Sequence, residues 1–381
     1  MDLPLSGVLV LDFSQFMAGP GATLRLADLG ARVVKIERPG SGDGSRNLYC
    51  SNLRFGNDSA LFHTVNRGKQ SIALDLKSQA DCVRAKKLIA NADVLVENFR
   101  PGVMARLGLD SKSAMELNPR LVYASVSGYG AKGPWKDQPG QDLLAQSRSG
   151  LTWLSGNATD PPVAFGLAVA DMFAAQHLVQ GILACLLRRE KTGKGGCVEV
   201  SLLESILDFQ FEVFTTYLND GAKLPMRGKS NSAHAYLGAP YGIYETADGF
   251  LALAMTPVAQ LGELLGAPDL HRFADRESWF VHRDEIRSIL ASHLRARNTR
   301  DWLDILEPAD IWCAQVLSWT DLVQHDAFKT IDMVQRLSHS SGAELLTTRC
   351  PIRIDGETMT SSDPGPELGQ HGASLAKEFS L

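Results

Sequence analysis

Val8-Leu9-Val10-Leu11-Asp12-Phe13, the break Gly19-Pro20-Gly21, the stretch 22–29 (ATLRLADL) and Val33-Val34-Lys35-Ile36 together decide the fold. The first run is apolar and β-prone. Glycine and proline then interrupt the chain, 22–29 favours helix, and the last run is β-branched, so the whole reads as a βαβ unit. A second unit runs from Ser71-Ile72-Ala73-Leu74 through a helical 80–90 to Val94-Leu95-Val96, and 121–126 reads as one more buried strand. Strands alternating with crossover helices predict an α/β fold with an open, parallel, Rossmann-like sheet. Its ligand belongs at the carboxyl ends of the strands.

Further along, apolar residues recur at helical spacing from 168 to 189, and Lys191-Thr192-Gly193-Lys194-Gly195-Gly196 stops that helix before the strand Val198-Glu199-Val200. Around 222–242 Gly, Pro, Ser and Asn loosen the pattern, after which 242–245 and 250–254 read as a hairpin about Ala247-Asp248-Gly249. Helices are predicted near 285–297 and 300–306, the second capped by Thr299, and a last strand near 346–354. The expected division is a large α/β domain over 1–222 and a smaller α+β domain over 223–330. A C-terminal segment, 331–381, returns to the large domain.

With 381 residues, 44% of them hydrophobic, the chain can bury a large core in two lobes. The net charge of −5 and the mixing of both signs leave no basic tract to follow a phosphate backbone, which excludes nucleic acid as a partner. The longest apolar run, 178–187, is interrupted by Gln180 and Gly181 and is too short to span a bilayer. The start MDLPLSG shows no secretory signal, so a cytoplasmic protein is expected. Cys50, Cys82, Cys185, Cys197, Cys313 and Cys350 have no ligand spacing, and neither disulfides nor a metal site are expected.

Two glycine-rich segments imitate phosphate loops. Gly19-Pro20-Gly21 with Glu37 resembles a dinucleotide fingerprint, but Thr23-Leu24 and Leu26 stand where the third glycine is needed, and Arg38 suits a phosphate or an adenine face. Thr192-Gly193-Lys194-Gly195 lacks both the four-residue gap and the Lys-Ser/Thr ending, so it reads as a helix stop.

Val10-Leu11-Asp12, Ala18-Gly19-Pro20, Leu26-Ala27-Asp28-Leu29-Gly30-Ala31, Lys35-Ile36-Glu37-Arg38-Pro39-Gly40 and Gly42-Asp43 resemble the opening of the class III CoA-transferases. That family includes formyl-CoA:oxalate transferase, the carnitine CoA-transferases and α-methylacyl-CoA racemase. Asn66-Arg67-Gly68-Lys69, Phe99-Arg100-Pro101-Gly102-Val103, Asn118-Pro119-Arg120-Leu121, Gly128-Tyr129-Gly130 and Glu190-Lys191-Thr192-Gly193 continue it in family order. Beyond residue 225 the main anchors are Pro240-Tyr241 and Thr246-Ala247-Asp248-Gly249.

The resemblance implies that coenzyme A, as substrate and carrier, lies along the first lobe. The matching contacts are Phe16, Met17, Ala18, Arg38, Leu74, Lys77, Asn98, Phe99 and Arg106. Arg38, Lys77 and Arg106 would supply charge-assisted bonds to its phosphates, although any one of them alone reads as a solvated surface base. It also implies that Asp171, at the start of the 168–189 helix, is the nucleophile. An Asp there is equally an ordinary N-cap, and the positive helix end would keep its carboxylate ionised while free N–H groups hold an oxyanion.

Attack on an acyl-CoA, then return of the CoA thiolate onto the Asp carbonyl, would give an aspartyl-CoA thioester that passes CoA to a second carboxylic acid. Racemase members carry a basic His where this chain has Gln141, and an amide takes no proton near neutral pH. Transfer is therefore expected, with α-proton chemistry as the alternative, and Gln141 as a neutral hydrogen-bonding residue facing the acyl group. Met17, Ser127 and the loop Ser230-Asn231-Ser232-Ala233-His234-Ala235-Tyr236 depart from the oxalate type. His234 reads as a pocket residue or a solvated loop histidine, and Arg46 and Arg148 as bases for the far carboxylate of a dicarboxylic acid. Family members form interlocked homodimers, and the same is expected here.

Overall fold

The computed structural model describes residues 3–381. The chain divides into two compact units. The larger takes residues up to Ala145, Leu167–Phe209 and Asp332–Leu381; the smaller takes Gln146–Gly166 and Gln210–Ile331. The smaller unit thus begins thirteen or so positions earlier than the loosened sequence near 222 suggests, and it also takes in 146–166. The aromatic side chains of helix Phe211–Asn219 explain this: Phe214 and Tyr217 share a cavity with Trp153, Tyr236 and Phe280.

The larger unit is built on six strands, β1 (Leu9–Asp12), β2 (Arg32–Glu37), β3 (Gln70–Ala73), β4 (Val94–Glu97), β5 (Val122–Ser127) and β6 (Gly196–Ser201). They pair in the order β3-β2-β1-β4-β5-β6, all parallel. Both faces are covered, so β1 and β4 are apolar almost throughout and wholly buried. The order turns back between β1 and β4, which opens a crevice at their carboxyl ends.

Helices α1 (Ala18–Asp28), α2 (Gln79–Asn91), α3 (Val103–Leu107), α4 (Ser111–Leu117), α5 (Asp142–Ser149), α6 (Val169–Thr192) and α7 (Leu202–Phe209) accompany the strands. Leu9 and Leu11 of β1 pack with Leu88 and Ile89 of α2, Ala114 of α4 and Tyr123 of β5. Helix α6 lies on the other face. Gly181 of α6 sits so close to Val198 that a Cβ there would come within 2.4 Å of it, and Val198 pairs with Ala124 beside Tyr123 in the strand. Alternation then sends Val198 to one face and Tyr123 to the opposite one. Helices α1 and α6 pack together, with the Gly21 backbone against the Ala175 methyl, so their N-termini stand side by side at the carboxyl end of the sheet.

At 24 residues α6 is long and apolar enough, by length and composition, to cross a bilayer; the helix extends well past the 178–187 run on either side. Its buried residues, Ala174, Ala175, Leu178 and Ile182 among them, belong to a helix that packs on α1, β5 and β6.

In the smaller unit, β7 (Gly242–Glu245), β8 (Phe250–Leu253) and β9 (Cys313–Gln315) form an antiparallel sheet in the order β9-β8-β7. It packs with α8 (Arg283–Leu294) and α9 (Thr299–Leu306) around Tyr244, Leu251, Leu290 and Trp302. Thr299 is the first helical residue of α9 and not its cap. Its N–H is taken by Asp248 Oδ1 at 2.7 Å, a carboxylate from the hairpin turn 51 positions earlier. The last strand expected near 346–354 is instead a hairpin, β10 (Val334–Ser338) against β11 (Glu344–Thr348).

Candidate functional site

The loop after β1 rests on charges with no exposure at all. Lys35 Nζ binds Ser14 O at 2.8 Å and pairs with Asp43 at 2.7 Å. Lys69 Nζ binds Asp12 Oδ2 at 2.9 Å, and Asp12 also accepts from the hydroxyls of Ser14 and Thr23. Burial pushes the Asp12 carboxyl up, but Lys35 and Lys69 outweigh it and hold it far below the usual carboxylate range; burial lowers Lys69 to about 8 despite Asp12. Buried charges persist only when paired in this way.

Above this network the backbone turns. Asp43 Oδ1 accepts the Phe16 N–H at 3.0 Å, and Gln15 and Asn98 exchange reciprocal bonds at 2.9 and 2.7 Å. Phe16 has a φ of 65°, a conformation bulky residues avoid, and its ring is half exposed. Met17 is the N-cap residue of α1 and Ala18 its first residue.

A cleft of about 270 Å³ opens beside this loop at the carboxyl ends of β1, β2 and β3, and Arg38, Leu74, Lys77 and Phe99 all line it. Arg38 and Lys77 are exposed, whereas Leu74 is a buried core residue that also lines the cleft. Arg106 is exposed on α3, outside the cleft lining, with its guanidinium near Gly102. Asn98 holds the backbone of Gln15, next to Phe16, whose own N–H is held by Asp43. Glu37, in the position that mimics a ribose ligand, is buried and bound by Arg46, Ser71 and the Asp43 N–H, so it cannot take a diol.

Arg46 is likewise spent. Its guanidinium binds Glu37, Asp58 and Pro366 O and lies 3.7 Å over the Phe62 ring, so it has no role at a substrate carboxylate. His234, in the smaller unit, accepts the Tyr236 N–H on Nδ1 and turns Nε2 to Glu212 at 3.7 Å. It lies outside the apolar cavity lined by Tyr236 and Phe280. Arg148 is exposed near the end of α5.

At the start of α6 the structure corrects the sequence reading. Asp171 is the third residue of the helix, and its side chain is not the cap. Asp142 Oδ1 accepts the N–H of Ala170 at 2.7 Å and that of Asp171 at 3.2 Å. Val169 N–H bonds Leu167 O, so the N–H groups of the first three helical residues are all engaged and are not free to hold an oxyanion. Asp171 is partly buried; burial first, and the Asp142 charge second, push its carboxyl up to about 7. The expectation of a carboxylate kept readily ionised by the helix end is thereby overturned, since Asp142 occupies that end.

Asp142 reaches α6 because the Gly140 and Gly128 backbones touch: a Cβ on either would lie within 2.5 Å of the other's Cα. Gln141, next to it, is exposed, and its Oε1 accepts the Leu143 N–H at 3.1 Å at the start of α5. Gln141 thus precedes the residue that holds the Asp171 N–H, while its own side chain is turned to the Leu143 N–H. Sequence reasoning missed Asp142 in this role because its partner is 28 positions away. It also missed Glu97, which ends β4 facing a second cavity of about 560 Å³ on the Tyr123 face. Burial pushes the Glu97 carboxyl up to about 7 against bonds from the Phe99 N–H and Tyr123. An acidic residue closing a buried strand was the available signal.

A strand order that reverses beside a cleft, with two helix N-termini meeting at the same sheet edge, places the chain among the nucleotide-fold α/β enzymes. More narrowly, the family model for CoA-transferase family III matches residues 5–372, and the chain belongs to that family. It is 32% identical to the succinate–glutarate CoA-transferase of Agrobacterium fabrum over 99% of this chain and 96% of that one. It is 33% identical to the acetyl-CoA:oxalate CoA-transferase of Acetobacter aceti over 99% of this chain and 96% of that one. A crystal structure of a CaiB/BaiF family protein from Brucella suis matches with a TM-score of 0.85 at 30% identity, covering all of both chains.

Proposed function

We propose that this enzyme moves coenzyme A from an acyl-CoA donor to a carboxylic acid acceptor, with Asp171 as the nucleophile. The observation that carries the reading is the place of Asp171: a desolvated carboxylate at the start of α6, beside the N-terminus of α1 and its loop, in a chain whose relatives are named CoA-transferases. Burial makes the ionised carboxylate more basic and hence a better nucleophile. It attacks the thioester carbonyl, the C–S bond breaks, and CoA leaves as thiolate. The thiolate then attacks the Asp171 carbonyl of the mixed anhydride, releasing the first acid and leaving an aspartyl-CoA thioester. The acceptor carboxylate runs both steps in reverse.

In this reading coenzyme A lies in the cleft of Arg38 and Lys77, passes Phe16, Met17, Ala18, Asn98 and Phe99, and Gln141 faces the acyl group. Two copies of the chain interlock as a homodimer. The large exposure of Leu224, Val281 and Trp319 supports a partner surface on the smaller unit. Succinate and glutarate, the acids in the name of the Agrobacterium relative, are the first acceptors to try.

The test is to incubate the enzyme with donor acyl-CoA and no acceptor, then trap with hydroxylamine. A hydroxamate on the peptide holding Asp171 is expected. Asp171→Ala should lose the tag and nearly all transfer while folding normally. A tag on Asp142, or full transfer by Asp171→Ala, would refute the assignment.

A further inference from the structure

Asp142 occupies the helix end that the nucleophile was expected to use. It is buried, 6% exposed, and one of its oxygens bonds two consecutive N–H groups of α6, including that of Asp171 itself. An ionised carboxylate in that place fixes the backbone of Asp171 and sets a second negative charge beside it. An amide would hold the same N–H groups without the charge. Two roles can therefore be separated, and the geometry points to both. Resting on the reading of Asp171 as nucleophile, we infer that Asp142 is a positioning residue that anchors Asp171 and, by its charge, sets the basicity of the attacking carboxylate.

The other elements packed on α6 offer no competing charge. On α1 no ionisable side chain precedes Arg25, which lies near the far end of that helix. On α7, Glu204 accepts from Ser201 Oγ, and Asp208 pairs with His177 at 3.2 Å, six positions along α6 from Asp171. On β6, Glu199 points to the face opposite Val198. Asp142 is the one charged neighbour acting on Asp171 among the described residues.

The consequence is a pH signature. Two like charges at close range hold the proton on one of them, so removing the Asp142 charge eases ionisation of Asp171 and lowers its basicity together. Asp142→Asn should shift the acid limb of Asp171 labelling down by about one unit, with a lower plateau at high pH. Asp142→Ala, which leaves the Ala170 and Asp171 N–H groups without their acceptor, should lower labelling at every pH, and Asn should rescue it at low pH.

The experiment follows hydroxylamine-trapped label on the Asp171 peptide from pH 5 to 9 in the wild type, Asp142→Asn, Asp142→Ala and Asp171→Ala. Circular dichroism confirms the fold of each. An acid limb for Asp142→Asn that coincides with that of the wild type, or Asn labelling as poorly as Ala throughout, would overturn the inference and leave Asp171 as nucleophile. Label persisting in Asp171→Ala would instead remove the reading on which the inference stands.

Discussion

The buried carboxyl of Asp171 ties stability to pH, and the sign can be worked out. Its carboxyl, raised to about 7 by burial and then by Asp142, holds a proton more tightly in the folded chain than in the unfolded one, where the value lies near 4. The group therefore favours folding fully below about pH 4, and that contribution is lost as the pH rises toward 7. Since its side chain caps nothing, Asp171→Ala removes no helix-capping bond. The thermal midpoint of Asp171→Ala relative to wild type should accordingly be higher at pH 8 than at pH 5. Melting curves at the two pH values check this, and a difference independent of pH would contradict it. Asp171 itself could be picked out of the sequence, because it stands inside a family-like segment at a helix start. Asp142 could not, because capping is read from neighbours in sequence, and this cap crosses 28 positions through the contact of Gly128 with Gly140.

At the scale of elements, the site depends on how tightly α1 and α6 are drawn to the ends of the strands. A Cβ on Gly19 would stand 2.2 Å from Ser14 Cβ. Ser14 has no freedom to yield, because its N–H and hydroxyl bond Asp12 and its carbonyl bonds Lys35, all fully buried. Gly19→Ala should therefore move the 14–17 loop, destabilise the fold by about 1–3 kcal/mol as overpacking does, and weaken coenzyme A binding. Chemical denaturation and a titration with free coenzyme A measure the two effects, and a variant unchanged in both would show that the loop adapts. The β1, α1 and β2 elements were legible from apolar runs and turn residues. Their helix face was not: α6 sharing the α1 face, opposite α2 and α4, follows from packing alone.

For the whole molecule, the chain passes between the two units four times, at 145/146, 166/167, 209/210 and 331/332, where the sequence suggested a single excursion. The C-terminal segment is bound into the larger unit by edge pairing. His371 N–H bonds Ser71 O at 2.9 Å, its Nδ1 accepts the Ser71 N–H at 3.1 Å, and Arg32 is paired with Glu378. This covers the outer edge of β3, which would otherwise invite another strand. If two chains interlock as proposed, the dimer should persist on dilution to nanomolar concentration, since separation would require unfolding. Sizing of diluted enzyme should return only the dimer, and a folded monomer would disprove interlocking.

By itself the sequence determined the parallel α/β core, the family, and the identity of the candidate nucleophile and cleft bases. These rest on local periodicity and on short contiguous motifs, which survive without knowledge of the fold. Tertiary structure alone decided that Asp142 takes the α6 helix end, that Arg46 and Glu37 spend their charges on each other, and that 146–166 leaves the larger unit. Each of these depends on contacts that local periodicity does not show, whether they span nine positions, as between Glu37 and Arg46, or 28, as between Asp142 and Ala170. Burial and charge pairing set their outcome only after the chain has closed.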